Sequence, residues 1–428
     1  MRLRLDDVLD DVARIAIRGS LSDADAFDKL QAACRTIEEN GHTACILDFS
    51  RGRVGGLRGL LVLAEITDLH PRLGLVACGL SPRASRQLDD WGLGRHIRVL
   101  GSPAEARQDP VISRSIARRT PVLVLSPPPM AQGPGGSHPL DWQVLGPTLR
   151  DAMLDDLRRQ GSTEIALLPA RPAKGPVEVV PLKTPGLPWH ALDPQAPVVL
   201  RYLSCAARLP IADAVARFRG SQGKPVLFMA RGARDGCRDG PLLGTAILPA
   251  GIARQAVTTG EDPPGIAELP TRLAELGARP LLVPTDIPPA SLATPREAAS
   301  TLLRALAEAR DLAGFPLTEL DQPSPGIWLA AGARLGKRAR VTGPVLLGRG
   351  AQVGAGATLH GPVILGAGAS VSRRALVRDS LVLDGHHVGP GDLLDGQVAG
   401  RSGQFAIRLP YGQATDLPET GSRQRRAI

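Results

Sequence analysis

Aromatic residues are scarce in this sequence. Phe, Trp and Tyr together make up 3% of its 428 residues. Proteins that bind single-stranded nucleic acid stack the bases on aromatic side chains, so we do not expect a nucleic-acid partner. The apolar content of 43% is nonetheless normal for a globular protein. The length suggests two to four domains, whose cores must consist mainly of Leu, Val, Ile and Ala.

Cysteine is also rare, and it follows no motif. The sequence contains no C-x-x-C pair, so it predicts neither a zinc site nor a thiol redox site. Three of the five cysteines lie in apolar segments of the first hundred residues, where cysteine usually behaves as a small core residue. Unpatterned thiols in an odd number are typical of a reducing cytoplasm, which is the expected location. The cysteines are Cys34, Cys45, Cys78, Cys205 and Cys237.

Long hydrophobic runs are missing as well. No stretch of about 18 apolar residues occurs, which is the length that a membrane-spanning helix needs. The first residues, MRLRLDDVLDD, lack the apolar segment of a secretory signal peptide. We therefore expect no membrane span and no signal peptide.

Lysine is rare, whereas arginine is abundant. The net charge is +9, and only five of the 51 basic residues are lysine. A surface for nucleic acid or phosphate would be one interpretation. The composition of a GC-rich genome, which encodes Arg, Ala, Gly and Pro heavily, is the favoured one because the charge is spread along the chain. The densest clusters, 114–119 and 423–426, lie in a predicted linker and in a predicted unstructured tail over residues 412–428.

An aliphatic residue recurs at every sixth position in the last quarter of the chain. The position two residues earlier is mostly Ala or Val, and the following one is often small, as in Gly336, Gly348, Gly354, Gly366 and Ser372. A triangular coil needs one large inward residue per side, and glycine where the backbone turns with positive φ. The pattern therefore predicts a left-handed parallel β-helix over residues 326–400, with a little over three coils and a spacing lost at Gly389. The aliphatic series is Leu329, Leu335, Val341, Leu347, Val353, Leu359, Leu365, Val371, Val377 and Leu383.

Such a β-helix suggests two further properties. Its exposed strand edges and end favour assembly, so we expect a homo-oligomer formed through the β-helix. Hexapeptide-repeat acyltransferases use a histidine between subunits as general base. The candidates for that alternative are His360, His386 and His387, although a solvated position at a turn is the favoured interpretation for each.

Residues 1–108 alternate between strand and helix patterns, which predicts a small α/β domain. The module resembles the STAS domain, the fold of anti-sigma factor antagonists. Three short segments carry the resemblance. They are Gly19-Ser20-Leu21 after a predicted strand, Asp48-Phe49-Ser50 at the end of another predicted strand, and Gly59-Leu60 at the start of a predicted helix. The resemblance implies a phosphorylatable serine at the start of that helix, where this chain has Arg58. The phosphorylation switch is thus lost, and the module is interpreted as a docking domain.

Residues 118–320 also predict an α/β fold, with strands near residues 121–125, 164–168, 197–203, 225–229 and 279–283. The module resembles the sugar-phosphate nucleotidyltransferases, Rossmann-like enzymes that make NDP-sugars. Residues 139–165 resemble a P-K-P-L segment followed by a helix and G-x-x-E-I. Residues 240–249 and 294–297 resemble two further motifs of that family. A β-helix after this module is the family's common architecture.

The residues that the resemblance would make catalytic are missing. The loop that should cradle a triphosphate contains three consecutive prolines, 127–129, which offer no N–H donors. Mg²⁺ requires carboxylate or phosphate oxygens. We therefore expect no catalytic residues, no metal and no cofactor, with Mg²⁺ entering only if the chain is a divergent active enzyme. The positions of this vestigial cleft are Gly133, Gly135 and Gly136 in the loop, His138 in place of the lysine of P-K-P, and Ser204 or Cys205 and Ser291 in place of the two metal-binding aspartates.

The resulting hypothesis is a non-catalytic scaffold, sensor or regulator linked to sugar-nucleotide or surface-polysaccharide synthesis. It would bind an NDP-sugar, a second copy of itself or an active nucleotidyltransferase paralogue. Three alternatives stay open: a divergent sugar-1-phosphate nucleotidyltransferase, a hexapeptide-repeat acyltransferase, and a STAS-type signalling protein.

Overall fold

The computed structural model describes residues 1–9, 12–71, 73–95, 97–118, 120–126, 138–168, 180–181, 192–231, 240–258, 263–400 and 403–407. The predicted tail, 412–428, lies outside them. Contacts divide the chain into two compact units, one with residues 1–129 and 150–291 and one with residues 130–149 and 292–428. The chain thus leaves the first unit and returns to it before the second unit is complete.

A five-stranded sheet organises the N-terminal part of the first unit. Its strands follow chain order from β1 to β5; β1 and β2 are antiparallel, and the remaining pairs are parallel. Alternate residues of β2 and β3, such as Ile15 and Leu47, are buried in one core with the apolar faces of α1 and α2. The elements are β1 (Arg2–Leu9), β2 (Val12–Ser20), α1 (Ala26–Glu39), β3 (Ala44–Arg53), α2 (Leu57–Leu69), β4 (Gly74–Cys78), α3 (Pro82–Asp90), β5 (Arg98–Leu100), α4 (Pro103–Gln108) and α5 (Pro110–Arg118).

A seven-stranded mixed sheet forms the rest of the first unit. In the order β12-β10-β11-β9-β6-β7-β8, strand β6 lies parallel to both neighbours, whereas β11 is antiparallel to β9 and β10. The α/β class and the strands predicted for this part are confirmed. The elements are β6 (Val122–Leu125), α6 (Leu149–Arg159), β7 (Ile165–Leu168), β8 (Val180–Pro181), β9 (Pro197–Tyr202), α7 (Ile211–Gly220), β10 (Val226–Ala230), β11 (Leu242–Pro249), α8 (Ala250–Thr258), α9 (Leu269–Glu275) and β12 (Leu281–Thr285).

Helices α4 and α5 cover residues 105–108 and 110–118 of the stretch that was predicted to be a polar linker, 105–119. Ala106, Ile112 and Ile116 are buried, and the last two are four residues apart on one face of α5. Helix α5 packs on strands β2, β3 and β4 and also on α7. The arginines made this stretch look like a polar linker, although it contains an amphipathic helix.

The second unit contains α10 (Pro295–Ala307) and a stack of parallel strands. Strands three positions apart in the chain pair in parallel, as in Ile327↔Val345 and Val345↔Val363, so one coil has three sides and 18 residues. The predicted six-residue period and parallel β-helix are thus confirmed. The strands are β13 (Asp321–Ser324), β14 (Ile327–Leu329), β15 (Arg334–Leu335), β16 (Arg340–Thr342), β17 (Val345–Leu347), β18 (Gln352–Val353), β19 (Thr358–His360), β20 (Val363–Leu365), β21 (Ser370–Val371), β22 (Leu376–Arg378), β23 (Leu381–Val382), β24 (His387–Val388), β25 (Leu393–Asp395), β26 (Gln397–Gly400) and β27 (Gly403–Ala406).

The last coils of the β-helix differ from the prediction in register. Ile364 pairs with Leu381, so the last coils are one residue shorter than the first two. Val382 rather than Leu383 therefore joins the interior. Parallel pairing continues past Gly389 through β25 and β26 to Gly400, within the predicted range, and it completes four coils where the pattern predicted a little over three.

The glycines that follow the aliphatic residues serve a different purpose from the one predicted. Gly348 and Gly354 do not adopt positive φ; a Cβ atom on Gly354 would lie within 3 Å of the backbone of the next coil. Positive φ occurs two residues later, at Gly350 and Gly356 and also at Arg374. Glycine is thus required directly after the aliphatic residue because the coils stack closely there, and not because the backbone reverses direction.

Candidate functional site

The crevice beside β6 is the place where this sheet would hold a ligand. Strands β7 and β9 flank β6 on opposite sides. The strand order thus changes direction at β6. In open α/β sheets, ligands bind outside the carboxyl ends of the strands at such a switch point. The described segment that follows β9 therefore defines the candidate site.

Backbone hydrogen bonds bring two of the predicted cleft stretches together after β9. The N–H of Leu203 donates to the carbonyl of Leu125 over 3.0 Å, which extends the pairing of β9 with β6. Cys205 then forms an isolated antiparallel bridge with Ser291, and the N–H of Ala206 donates to the carbonyl of Ala290 over 2.7 Å. Ser204, Cys205 and Ser291 thus lie at one place, although they are far apart in sequence.

The side chains at this place do not fit Mg²⁺. Two hydroxyls and a buried thiol offer no carboxylate oxygen, whereas Mg²⁺ is held in proteins by one or two carboxylates and substrate phosphates. Within the described ranges, no group of three His, Cys, Asp or Glu side chains could hold a metal ion. Ser204, Cys205 and Ser291 therefore supply no set of Mg²⁺ ligands.

A buried cation supports the loop after β9. Arg201 is 7% exposed and donates hydrogen bonds to the Thr245 hydroxyl and to the carbonyl of Ala207. Burial lowers the pKa of this guanidinium. Gly244, with positive φ, lets β11 approach the same loop, since a Cβ atom there would overlap that of Cys205. Arg201 and Gly244 thus hold the loop after β9 in place through contacts within the protein.

The other predicted cleft residues are His138 and three glycines of the segment after β6. His138 belongs to the second unit, where its Nδ1 accepts a hydrogen bond from the N–H of Leu140 over 3.1 Å at the start of a short 3₁₀ helix. Gly133, Gly135 and Gly136 lie outside the described residues. The structure therefore brings together the predicted metal positions, but it shows no phosphate-binding loop beside them within the residues it describes.

The position that the STAS resemblance aligns with a phosphorylatable serine is at the surface. Arg58 occupies the first turn of α2 and is exposed. The preceding Gly56 caps the helix without a side-chain hydrogen bond. Two leucines of the same helix, Leu57 and Leu61, are 53% and 51% exposed. This end of α2 thus presents a cation beside two large apolar side chains.

The histidines of the β-helix are held differently from one another. His387 lies with Nδ1 at 2.8 Å from the Ser370 hydroxyl and with Nε2 at 3.2 Å from the Ser372 hydroxyl. His360 is exposed on β19, and burial followed by the charge of His387 lowers the pKa of His386. Both ring nitrogens of His387 are therefore engaged by hydroxyls of the preceding coil.

Buried thiols in the first module behave as core residues. Cys34, Cys45 and Cys78 are buried. Burial raises the pKa of Cys34 and of Cys78 to about 12, so both thiols stay protonated at neutral pH. The prediction of inert core cysteines is confirmed for these three, whereas Cys237 lies outside the described residues.

An arginine-rich groove on the first sheet was missed by the sequence analysis. It is a cavity of about 520 Å³ lined by residues of β1, β2 and β3. The signal was present in the alternation Arg2-Leu3-Arg4-Leu5, which is typical of a strand with one polar face. The charged residues that line the groove are Arg2, Arg4, Asp6, Arg14, Arg18, Asp48 and Arg51.

The chain thus combines two α/β sheets with a parallel β-helix. No protein-family profile and no curated protein matches its sequence. Solved structures similar to it include the anti-sigma factor antagonist SpoIIAA in its unphosphorylated form, at 18% identity, and the Bacillus cell fate determinant SpoIIAA in the phosphorylated form, at 20% identity, each with a TM-score of 0.20. These matches cover 25% of this chain and 95% and 97% of the other chains. Among the described helices, none has the length and apolar character to cross a membrane.

Proposed function

We propose that the protein is a non-catalytic scaffold or sensor linked to sugar-nucleotide or surface-polysaccharide synthesis, built on a degenerate nucleotidyltransferase. The observation that carries the proposal is the pairing of Cys205 with Ser291 at the crevice after β9. An active nucleotidyltransferase would need two metal-binding carboxylates at these positions, where this chain has the thiol of Cys205 and the hydroxyl of Ser291.

The chemistry of the crevice supports binding rather than transfer. Nucleotidyl transfer requires strong neutralisation of phosphate charge, which Mg²⁺ usually provides. The hydroxyls of Ser204 and Ser291 carry no charge, and the guanidinium of Arg201 already donates to protein oxygens. Neutral hydroxyls can still bind the sugar or ribose of an NDP-sugar through hydrogen bonds.

Calorimetric titration of the full chain with nucleoside triphosphates and NDP-sugars, with and without Mg²⁺, tests the sensor role. We expect an NDP-sugar to bind independently of Mg²⁺, and no pyrophosphate to be released from a sugar phosphate and a triphosphate. The substitution Ser204→Leu should weaken binding, whereas Ser85→Leu on α3 should not. Mg²⁺-dependent pyrophosphate release would instead identify an active enzyme, and the absence of binding to every ligand would remove the sensor role.

The scaffold role requires assembly, and one face of the β-helix supports it. Leu376 and Leu393 are paired in register on consecutive coils, and they are 37% and 62% exposed. Stacked apolar side chains on a surface are typical of an interaction site. Light scattering should show an oligomer that Leu393→Asp dissociates and that Gln352→Asp, on another face, leaves intact. A monomer at micromolar concentration would contradict self-assembly through this face.

A further inference from the structure

Three arginines form a row across neighbouring strands of the first sheet. Arg2 of β1 lies directly opposite Arg18 of β2, and Arg18 lies in register with Arg51 of β3. All three line the same groove and are exposed. Adjacent strands are about 4.8 Å apart, so the row spreads three positive charges over roughly 10 Å.

The carboxylates of the groove are already committed to other arginines. Asp6 accepts a hydrogen bond from Arg4 over 2.8 Å, and Asp48 pairs with Arg14. Within the described part of the chain, no carboxylate pairs with Arg2, Arg18 or Arg51. Like charges directly opposite on neighbouring strands are destabilising, so the row carries an electrostatic cost that an anion would offset.

The floor of the groove is fixed in place. The Asp48 side chain is 3% exposed and accepts hydrogen bonds from the N–H and the hydroxyl of Ser50 over 2.8 and 2.5 Å. The ion pair with Asp48 also holds the guanidinium of Arg14 at the edge of the groove. The groove therefore has a fixed floor, and binding would have to order only the side chains of the arginine row.

We propose that this groove binds a diphosphate or triphosphate group. Guanidinium groups match phosphate oxygens with two parallel hydrogen bonds. A single phosphate can reach two neighbouring arginines of the row, whereas a diphosphate extends to all three. A volume of about 520 Å³ lies within the range of small-ligand pockets. The site lies on the first sheet and does not depend on the function proposed for the crevice after β9.

Titration of the full chain with inorganic pyrophosphate and with ADP tests the proposal. We expect both to bind, and binding to weaken as the salt concentration rises. Arg18→Gln should weaken pyrophosphate binding by about tenfold, since it removes one charge-assisted interaction. Arg51→Gln provides a second variant at an exposed position. Arg83→Gln on α3 removes the same charge elsewhere and should leave the affinity unchanged.

The two ligands distinguish the source of the phosphate. Equal affinities for pyrophosphate and ADP indicate that free polyphosphate chemistry suffices, and tighter binding of ADP indicates a nucleotide. The proposal is overturned if neither ligand binds, if a single-stranded oligonucleotide binds much more tightly than both, or if both arginine variants retain the full affinity for pyrophosphate. Ser204→Leu should leave pyrophosphate affinity unchanged, which separates this groove from the crevice.

Discussion

Asp48 shows how one residue connects the fold of the first sheet to its groove. The carboxylate is buried in the middle of β3, where it accepts hydrogen bonds from Ser50 and pairs with Arg14. Burial opposes its charge, but the hydrogen bonds from Ser50 and Arg14 together outweigh burial and hold its pKa below the usual value. We expect Asp48→Asn to lower the free energy of unfolding at pH 7 by about 1.5–3 kcal/mol, the range for hydrogen bonds to charged groups.

The effect of Asp48 should depend on pH in a defined direction. A carboxylate with a depressed folded-state pKa stabilises the folded state above its unfolded-state pKa, and this contribution is lost as the pH falls through the folded-state value. The difference in melting temperature between the wild type and Asp48→Asn should thus be largest at pH 6–7 and shrink below about pH 4. A difference that is constant from pH 7 to pH 3 would contradict the role of the charge.

Arg18 should behave in the opposite sense when no anion is present. It lies between Arg2 and Arg51 without a carboxylate partner among the described residues. Arg18→Gln should therefore raise the free energy of unfolding by about 0.2–1 kcal/mol in phosphate-free buffer of low salt. High salt should abolish the gain because it screens the repulsion. Chemical denaturation at two salt concentrations measures this, and a loss of stability in low salt would contradict it.

At the scale of elements, the sequence predicted regular patterns well and mixed ones poorly. Helix α2 follows the helix pattern expected around Gly59-Leu60, because its apolar residues recur with helical spacing. Strand β1 was not predicted. Its alternation of charged residues with Leu3 and Leu5 is nonetheless the pattern of a strand with one polar face. The shorter last coils were not predictable from the spacing. Both Val382, which faces the interior, and Leu383, which continues the six-residue series, are aliphatic, so the sequence does not show that one residue is missing.

The candidate site was predictable in part for a similar reason. Motif order placed Ser204, Cys205 and Ser291 at one crevice, and their contact follows from strand ends that meet at one edge of the sheet. The arginine groove depends instead on registers between β1, β2 and β3. Pairing across strands cannot be read from three separate segments, so Arg2, Arg18 and Arg51 looked dispersed.

The β-helix allows a direct test of which residues face its interior. Leu359 of β19 is fully buried in the inner core. We expect Leu359→Ala to lower the free energy of unfolding by about 2–5 kcal/mol, because coils that stack closely cannot collapse around the cavity. Thr358→Ala, at the neighbouring outward position, should cost less than about 1 kcal/mol. Equal losses for the two variants, measured by denaturant unfolding, would contradict the inward orientation.

At the scale of the whole molecule, cooperative units need not follow sequence order. Residues 138–149 belong with the β-helix, and the N–H of Ala367 donates to the carbonyl of Gln143 over 2.8 Å. Gly348 accommodates this contact, since a Cβ atom there would overlap the carbonyl of Val144. The segment therefore packs on coils that lie much later in the chain.

Hydrogen exchange should reveal this organisation. When Leu359→Ala weakens the β-helix, we expect faster exchange in residues 140–148 as well as in residues 326–400. Strands β6 and β7, which flank that segment in sequence, should keep their protection because they belong to the other unit. Faster exchange in β6 and β7 together with 140–148 would show that the segment unfolds with its sequence neighbours instead.

The discontinuous second unit has a consequence for synthesis on the ribosome. The segment that ends at Thr148 emerges roughly 180 residues before the first coil on which its unit is built, a delay of about 10–40 s at usual elongation rates. During that interval Val144, which is buried in the finished protein, lacks the coil that its carbonyl meets at Gly348. The nascent chain therefore carries an early apolar stretch that only the last quarter of translation can bury, and this interval is when a chaperone would be of most use.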